Sequence, residues 1–327
     1  MKPGKLTNDD LSRLVIDKLG HADDTVLTGA GIGEDCCAVR LGKNTVVLSG
    51  DPITAAKSGA GTLAMYVTAN DIAAAGAKPV CAIVTLLFPT DIEEYEITNL
   101  VEELTDTARS MGVAIGGGHT EITPAVVQTV INVTMMGEPI ADQMISSAGA
   151  QLGDALVMSK SAAIEGTLIL ADDFPDRFAG KLDGFDYLQL DCLRPCLSVQ
   201  KEGKTGAEQQ VHAMHDVTEG GVIGAACEMA RAASLGLELD IKSIPVLPVT
   251  QKLCAFCGID PLRFVSSGSM LMATNEPDAL ISALHAQQVD ACVIGRFVRE
   301  GFVTTDPITP IDPNVRDELY KLYGSMI

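Results

Sequence analysis

The chain has no tryptophan, and aromatic residues make up only 4% of its 327 positions. Stacking platforms for bases and sugars are built from such rings, so their scarcity argues against that mode of recognition. Positive charge is also short: 23 Lys and Arg stand against 43 Asp and Glu, a formal charge of −20. So acidic a surface repels phosphate backbones and anionic lipid, which argues against nucleic-acid and membrane partners. It leaves room for a phosphorylated small molecule, because a divalent cation bridges acidic side chains to phosphates. Long apolar runs are missing too. Val80–Phe88 is interrupted by Thr85 and is far too short to span a bilayer, and the opening MKPGKLTNDD has no apolar segment of the kind a secretory signal needs. Nine cysteines are an odd number, and Cys36 and Cys37 are adjacent; a reduced, cytoplasmic protein is expected.

The ready-made motifs are absent or incomplete. Gly203-Lys204-Thr205 would end a P-loop, but the required earlier glycine is Ser198. Gly59-Ala60-Gly61-Thr62-Leu63-Ala64 satisfies a dinucleotide-binding pattern, yet it lies away from the preceding strand and has no acidic residue at the next strand end. Cys254 and Cys257 have the spacing of half a zinc site, which Cys192 and Cys196 could complete, or of a redox pair, for which no thioredoxin-like context is present; buried structural cysteines are the plainer reading. No GxSxG elbow is present to support serine nucleophile chemistry.

Hydrophobic residues amount to 47%, enough for well-filled cores, and the length suits two domains. Leu11, Leu14, Val15 and Leu19 have helical spacing, with Gly20 as the stop. Thr45–Ser49 reads as a strand, 61–75 as a buried helix, Val80–Phe88 as a buried strand, and 92–111 as a long helix with Leu100, Val101, Leu104 and Ala108 on one face. Strands are expected at 113–115 and 126–135. A small-residue stretch at 145–153 suits a linker, giving domains 1–147 and 148–327. Beyond it come strands near 155–159, 211–215 and 292–298, and helices over 221–233 and 277–285. The alternation indicates an α/β or α+β fold.

Four segments place glycine or another small residue beside a carboxylate: Gly31-Ile-Gly33-Glu-Asp35, Ser49-Gly50-Asp51, Asn70-Asp71 and Gly116-Gly117-Gly118-His119-Thr120-Glu121. Gly-Asp pairs commonly form turns. Asn70-Asp71 lies inside an otherwise apolar helix, however, and its polar groups require partners. A divalent cation held by Asp35, Asp51 and Asp71 would satisfy all three carboxylates, and Gly116–Gly118 would let backbone N–H groups approach phosphate oxygens.

GIGEDCCAV, SGDPIT, VTANDIAAAGAKP and GGGHTE, followed by AIEGTLILA, HDVTEGGVIGAACEMA and SSGSML, resemble the PurM-like, or AIR synthase-related, superfamily along nearly the whole chain, and HypE-like members most of all. The resemblance implies a homodimer in which the first domain's sheet closes into a barrel across the two copies, and a second α/β domain completes a nucleotide cleft. It implies ATP and Mg²⁺, with Asp35, Asp51 and Asp71 holding the metal and Asp71 and His119 in the catalytic machinery. Gly33, Asn70, Gly117, Gly118 and Thr120, with Asp216, Thr218, Gly220 and Gly221 of the second-domain turn, would bind the nucleotide. Gly220-Gly221 opening a helix suits an anion, although an ordinary helix start capped by Thr218 is the alternative. Lys57, and less strongly Lys160, are candidates for a basic contact. Kinase-type relatives carry Asp where this chain has His119.

The shared chemistry is attack by an oxygen of a small molecule or carrier-protein-borne group on the γ-phosphoryl of ATP. HypE-like members react through a terminal tail Cys. Here the last cysteine is Cys292, in a predicted strand, so that chemistry is not expected in its usual form. The resemblance leaves two further readings: a thiamine-monophosphate-kinase-like enzyme, or a non-catalytic nucleotide-binding maturation partner.

Overall fold

The computed structural model describes residues 6–20, 24–54, 59–141, 143–314 and 316–324. Strands β1 (Val26–Thr28), β2 (Cys37–Leu41), β3 (Asn44–Ile53), β4 (Ala77–Phe88), β5 (Ala114–Ile122) and β6 (Val130–Pro139) form one sheet in the order β1-β2-β3-β6-β4-β5. Its pairs are antiparallel except the last, where β5 runs parallel to β4. Helices α1 (Asn8–Leu14), α2 (Ala60–Ala74) and α3 (Glu94–Met111) belong to this half. Strands β7 (Ala155–Ser159), β8 (Ala213–Asp216), β9 (Gly236–Leu239), β10 (Met270–Thr274), β11 (Ala291–Val298) and β12 (Phe302–Thr304) form a second sheet in the order β12-β9-β11-β7-β10-β8. Around it lie α4 (Ile164–Asp173), α5 (Pro175–Phe178), α6 (Gly184–Leu193), α7 (Gln200–Glu208), α8 (Gly221–Ala232), α9 (Pro248–Cys257), α10 (Pro277–Ala286) and α11 (Leu319–Gly324). The result is the expected mixed α/β architecture. Among the described residues, no helix is long and apolar enough to cross a membrane.

Helix α2 organises the molecule. It carries no charge except Asp71, and Met65, Ala69, Asn70 and Ile72 are fully buried. A helix apolar all round needs cover on every side. The first sheet covers one side, where Ala64, Met65, Ala69 and Ile72 join the core of Val47, Ala82, Val133 and Met135. On another side, Ala73 and Ala74 pack with Val199, Met214 and Met270 of the second half. At the crossing with α7, a Cβ added to Gly203 would lie 2.2 Å from the Ala73 carbonyl oxygen. The glycine of the failed P-loop is therefore a helix-crossing residue.

Four expected elements differ from those observed. The amino-terminal helix stops at Leu14, is followed by a 3₁₀ turn over Ile16–Lys18, and buries no residue; Leu19 is exposed. Strand β4 buries Ala82, Val84, Leu86 and Phe88 but exposes Val80 and Ile83 on its other face. Its near-continuous apolar run conceals this alternation. The glycine segment, expected to lie beyond a strand ending at 115, lies within β5, extended along the edge of the sheet, and Val101 of α3 faces outward while Leu104 and Ala108 face the core.

Candidate functional site

Asp35 ends the turn of Gly31–Glu34, where Gly33 adopts φ +77° against the backbone of Glu228 on α8. Asp51 lies on β3, Asp71 in the last turn of α2, and Asp216 at the end of β8. Three carboxylates from the first half and one from the second thus meet where the halves join. The Ser49 hydroxyl donates to Asp71 Oδ2 at 2.5 Å and lies 3.1 Å from the Asp35 carbonyl. Burial, then the charges of Asp51, Asp216 and Asp35, raises the Asp71 carboxyl well above the usual range. Cys36, also buried, has its thiol raised by burial and by Asp71, Asp35 and Asp216. The field at this junction strongly favours a cation.

The local positive group is one the sequence reading did not single out. His215, 2% exposed, places Nδ1 3.0 Å from Asp35 Oδ2 and Nε2 3.2 Å from Glu228 Oε2. Burial favours the neutral ring, but the two carboxylates outweigh it and hold the imidazole protonated well above the ordinary histidine range. Asp35, His215 and Asp216 each bring one ligand atom within 4.8 Å of the others. Oxygen donors in this number suit a divalent cation, so the residues present fit the implied metal. Asp216, read from sequence as a nucleotide contact, is part of this metal-like group. The signals for the missed residues were faint: His215 directly precedes Asp216, and Glu228 lies about two helical turns beyond Gly221 on the same helix face.

Other expected contacts are already engaged. The Asn70 amide donates to the Leu197 carbonyl at 2.8 Å and accepts from Val199 N at 2.9 Å, so it joins α2 to the segment leading into α7 instead of reaching toward the carboxylates. The Lys160 ammonium donates to the carbonyls of Cys196, Ser198 and Gly268 and pairs with buried Glu202 at 2.7 Å. Lys57 lies outside the described residues. Gly220 and Gly221 open α8 with φ +92° and +63°, as the motif requires, but the Gly220 N–H donates to Asp317 Oδ2 at 2.6 Å. A carboxylate from the chain itself sits where a phosphate was expected. Asp317 is pushed up to about 7 by burial and by Glu219 and Glu165, against the N–H donors of Gly220 and Leu319. Thr218 takes part through its carbonyl, which accepts from Gly221 N, and not through a side-chain cap.

Gly117, Gly118, His119 and Thr120 do not join the aspartates within one chain. Asp51 pairs in register with Val133, Val133 with Val84, and Val84 with Gly118. Three strand steps separate Asp51 from Gly118, about 14 Å. Gly118 is glycine because β4 and β5 approach closely: a Cβ would lie 1.8 Å from the Val84 carbonyl oxygen. His119 is 64% exposed and touches Glu121 at 3.3 Å. Behind this strand, α3 overhangs a cavity of about 620 Å³ lined by Val84, Leu86, Leu104, Ala108, Gly118 and Thr120. The nine cysteines are free thiols, and among the described residues no cysteine belongs to a group placed to hold a metal.

The chain is similar to known proteins along most of its length. Residues 33–138 match the AIR synthase related protein N-terminal domain, and residues 151–306 the corresponding C-terminal domain. Carbamoyl dehydratase HypE of Escherichia coli K12 is 30% identical over 256 residues, covering 76% of this chain and 73% of that protein. A hydrogenase maturation protein HypE solved in complex with ATP superimposes with a TM-score of 0.71 at 20% identity, covering 98% of each chain. AaThiL, solved with AMPPCP and TMP, gives 0.74 at 17% identity over 97% of this chain and 99% of its own. At those identities the two structures speak for the fold.

Proposed function

The chain belongs to the AIR synthase related family, and on that premise we propose that it is an ATP-dependent, Mg²⁺-requiring enzyme that transfers the γ-phosphoryl group to an oxygen of a small-molecule or carrier-protein acceptor. The observation that carries this reading is the convergence of Asp35, Asp51, Asp71 and Asp216 from both halves of the chain. When bound, the cation neutralises charge developing on the triphosphate. The chain's own contribution is to hold those carboxylates ready: Ser49 orients Asp71, and the His215 ring orients Asp35. Relatives described with ATP, or with AMPPCP and TMP, support a nucleotide in this cleft. The working division is 1–147 for metal, nucleotide and self-association and 148–327 for completing the cleft, in a cytoplasmic setting.

The split geometry supports self-association. The glycine strand lies about 14 Å from Asp51 in its own chain, so a second copy would bring Gly117, Gly118, His119 and Thr120 closer to a triphosphate at the carboxylates than its own strand does. The open sheet face carries the apolar side chains such contact requires: Val80, Ile83 and Met136 are exposed there, and Ile115 and Ile122 are exposed on β5.

Thermal unfolding with Mg²⁺ and a non-hydrolysable ATP analogue tests this reading. Binding at 100 times Kd adds about 2.7 kcal/mol to the native state. A magnesium-dependent rise that Asp71→Asn abolishes is expected. No shift at millimolar nucleotide would remove the enzyme assignment.

A further inference from the structure

Magnesium takes oxygen ligands and keeps several waters, whereas an imidazole at the site changes which cation is preferred. The junction holds such an imidazole in an arrangement that resembles a ligand more than a surface ion pair. His215 is 2% exposed and is fixed from behind by Glu228 at Nε2, the carboxylate–histidine pairing that orients metal-binding imidazoles. Its other nitrogen faces Asp35 Oδ2 at 3.0 Å. Two ligands at right angles on a cation with bonds of about 2.1 Å lie about 3.0 Å apart. The N–H···O contact thus spaces the two atoms as neighbouring ligands of one ion, which binds by displacing the proton from Nδ1 to solvent while Nε2–H stays on Glu228. Asp216 supplies a third ligand atom within 4.8 Å of both.

We infer that His215 Nδ1 is a nitrogen ligand of the cation shared with Asp35 and Asp216, and that the site favours a manganese-class transition cation over magnesium. This rests on the reading of the carboxylate cluster as a metal site. Borderline divalent ions with N and O donors gain from the imidazole, while Mg²⁺ gains little. Glu228 is the positioning residue, holding the ring so that Nδ1 faces the oxygens.

Pulsed EPR on the full chain titrated with MnCl₂ reads the ligand directly. The expected result is ¹⁴N modulation from a coordinated imidazole that persists in His119→Ala and disappears in His215→Gln. Mn²⁺ should compete out Mg²⁺ with a Kd lower by about tenfold, an advantage lost in the same variant. Because a buried histidine replacement can unfold the chain, the decisive measurement is the wild-type spectrum. Bound Mn²⁺ without ¹⁴N coupling overturns the assignment of His215. A magnesium-dependent nucleotide shift in the same preparation would leave the carboxylate site standing, so the two failures are distinguishable.

Discussion

At the junction of the two sheets, Asp71 is 4% exposed on a helix enclosed by both halves of the chain. At the far edge of the first sheet, all nine residues of β5 are exposed, and His119 is 64% exposed. Both regions pair small residues with chemistry-bearing ones, yet glycine serves opposite ends in them. At the junction it lets α7 cross α2 closely and lets the Asp35 turn take a positive φ. On β5 it brings the strand against β4 and leaves a cavity under α3. One region is finished within a single chain; the other presents an edge that a single chain does not cover.

That contrast predicts which substitutions damage the isolated chain. The largest effect is expected from Gly203→Ala at the helix crossing, where the new methyl meets the Ala73 carbonyl. Chemical denaturation should show a loss of about 3 kcal/mol, the upper end for overpacking. A loss below about 0.5 kcal/mol would mean that the junction is looser than its geometry states.

A smaller effect comes from Asp317, which borders the junction at the start of α8. Its folded-state value, about 7, lies above the ordinary carboxyl range, so the folded chain holds this proton more tightly than the unfolded one. Stability from this group is full below about pH 4 and is lost as pH rises toward about 7. Asp317→Asn keeps an acceptor for Gly220 N and removes the titration. The variant should be more stable than wild type at pH 8 by about 1–2 kcal/mol, with the difference vanishing near pH 4. Identical pH profiles would contradict the burial of this carboxylate.

The smallest effect on stability is expected at the edge. Ile83→Glu on the open sheet face should change unfolding of the separated chain by no more than about 0.5 kcal/mol. In sedimentation, the proposed self-association predicts a dimer for the unaltered chain and a monomer for this variant. A variant that stays dimeric would place self-association on another face.

Much of this contrast was legible in the sequence. Small apolar residues located α2, apolar spacing located α3, and carboxylates set beside glycine or inside an apolar helix picked out Asp35, Asp51 and Asp71. What escaped depended on contacts distant in the chain. The strand was expected to end at 115 because the glycine run of Gly116–Gly118 lacks β propensity; pairing with β4 extends it nonetheless. Val80 and Ile83 looked buried because a near-continuous apolar run on β4 does not show that only one face meets the core of its own chain. Asp317 lies 97 residues beyond Gly220, and no local pattern announces that one will cap the other. His215 ends a predicted strand, and nothing in its neighbours along the chain singles it out. Only Asp35 and Glu228, brought in by the turn and by α8, give it a role.

The Asn70 clamp has a mechanical consequence. Its amide grips the 197–199 backbone at both polar ends, one residue before Asp71, so force applied between the halves is transmitted directly into the helix turn that carries the carboxylate. A hinge at the 145–153 stretch cannot swing freely while both hydrogen bonds hold. The joint is stiff beside the helix turn that carries Asp71, so the spacing between the two halves is set there by backbone contacts and not by the carboxylates themselves.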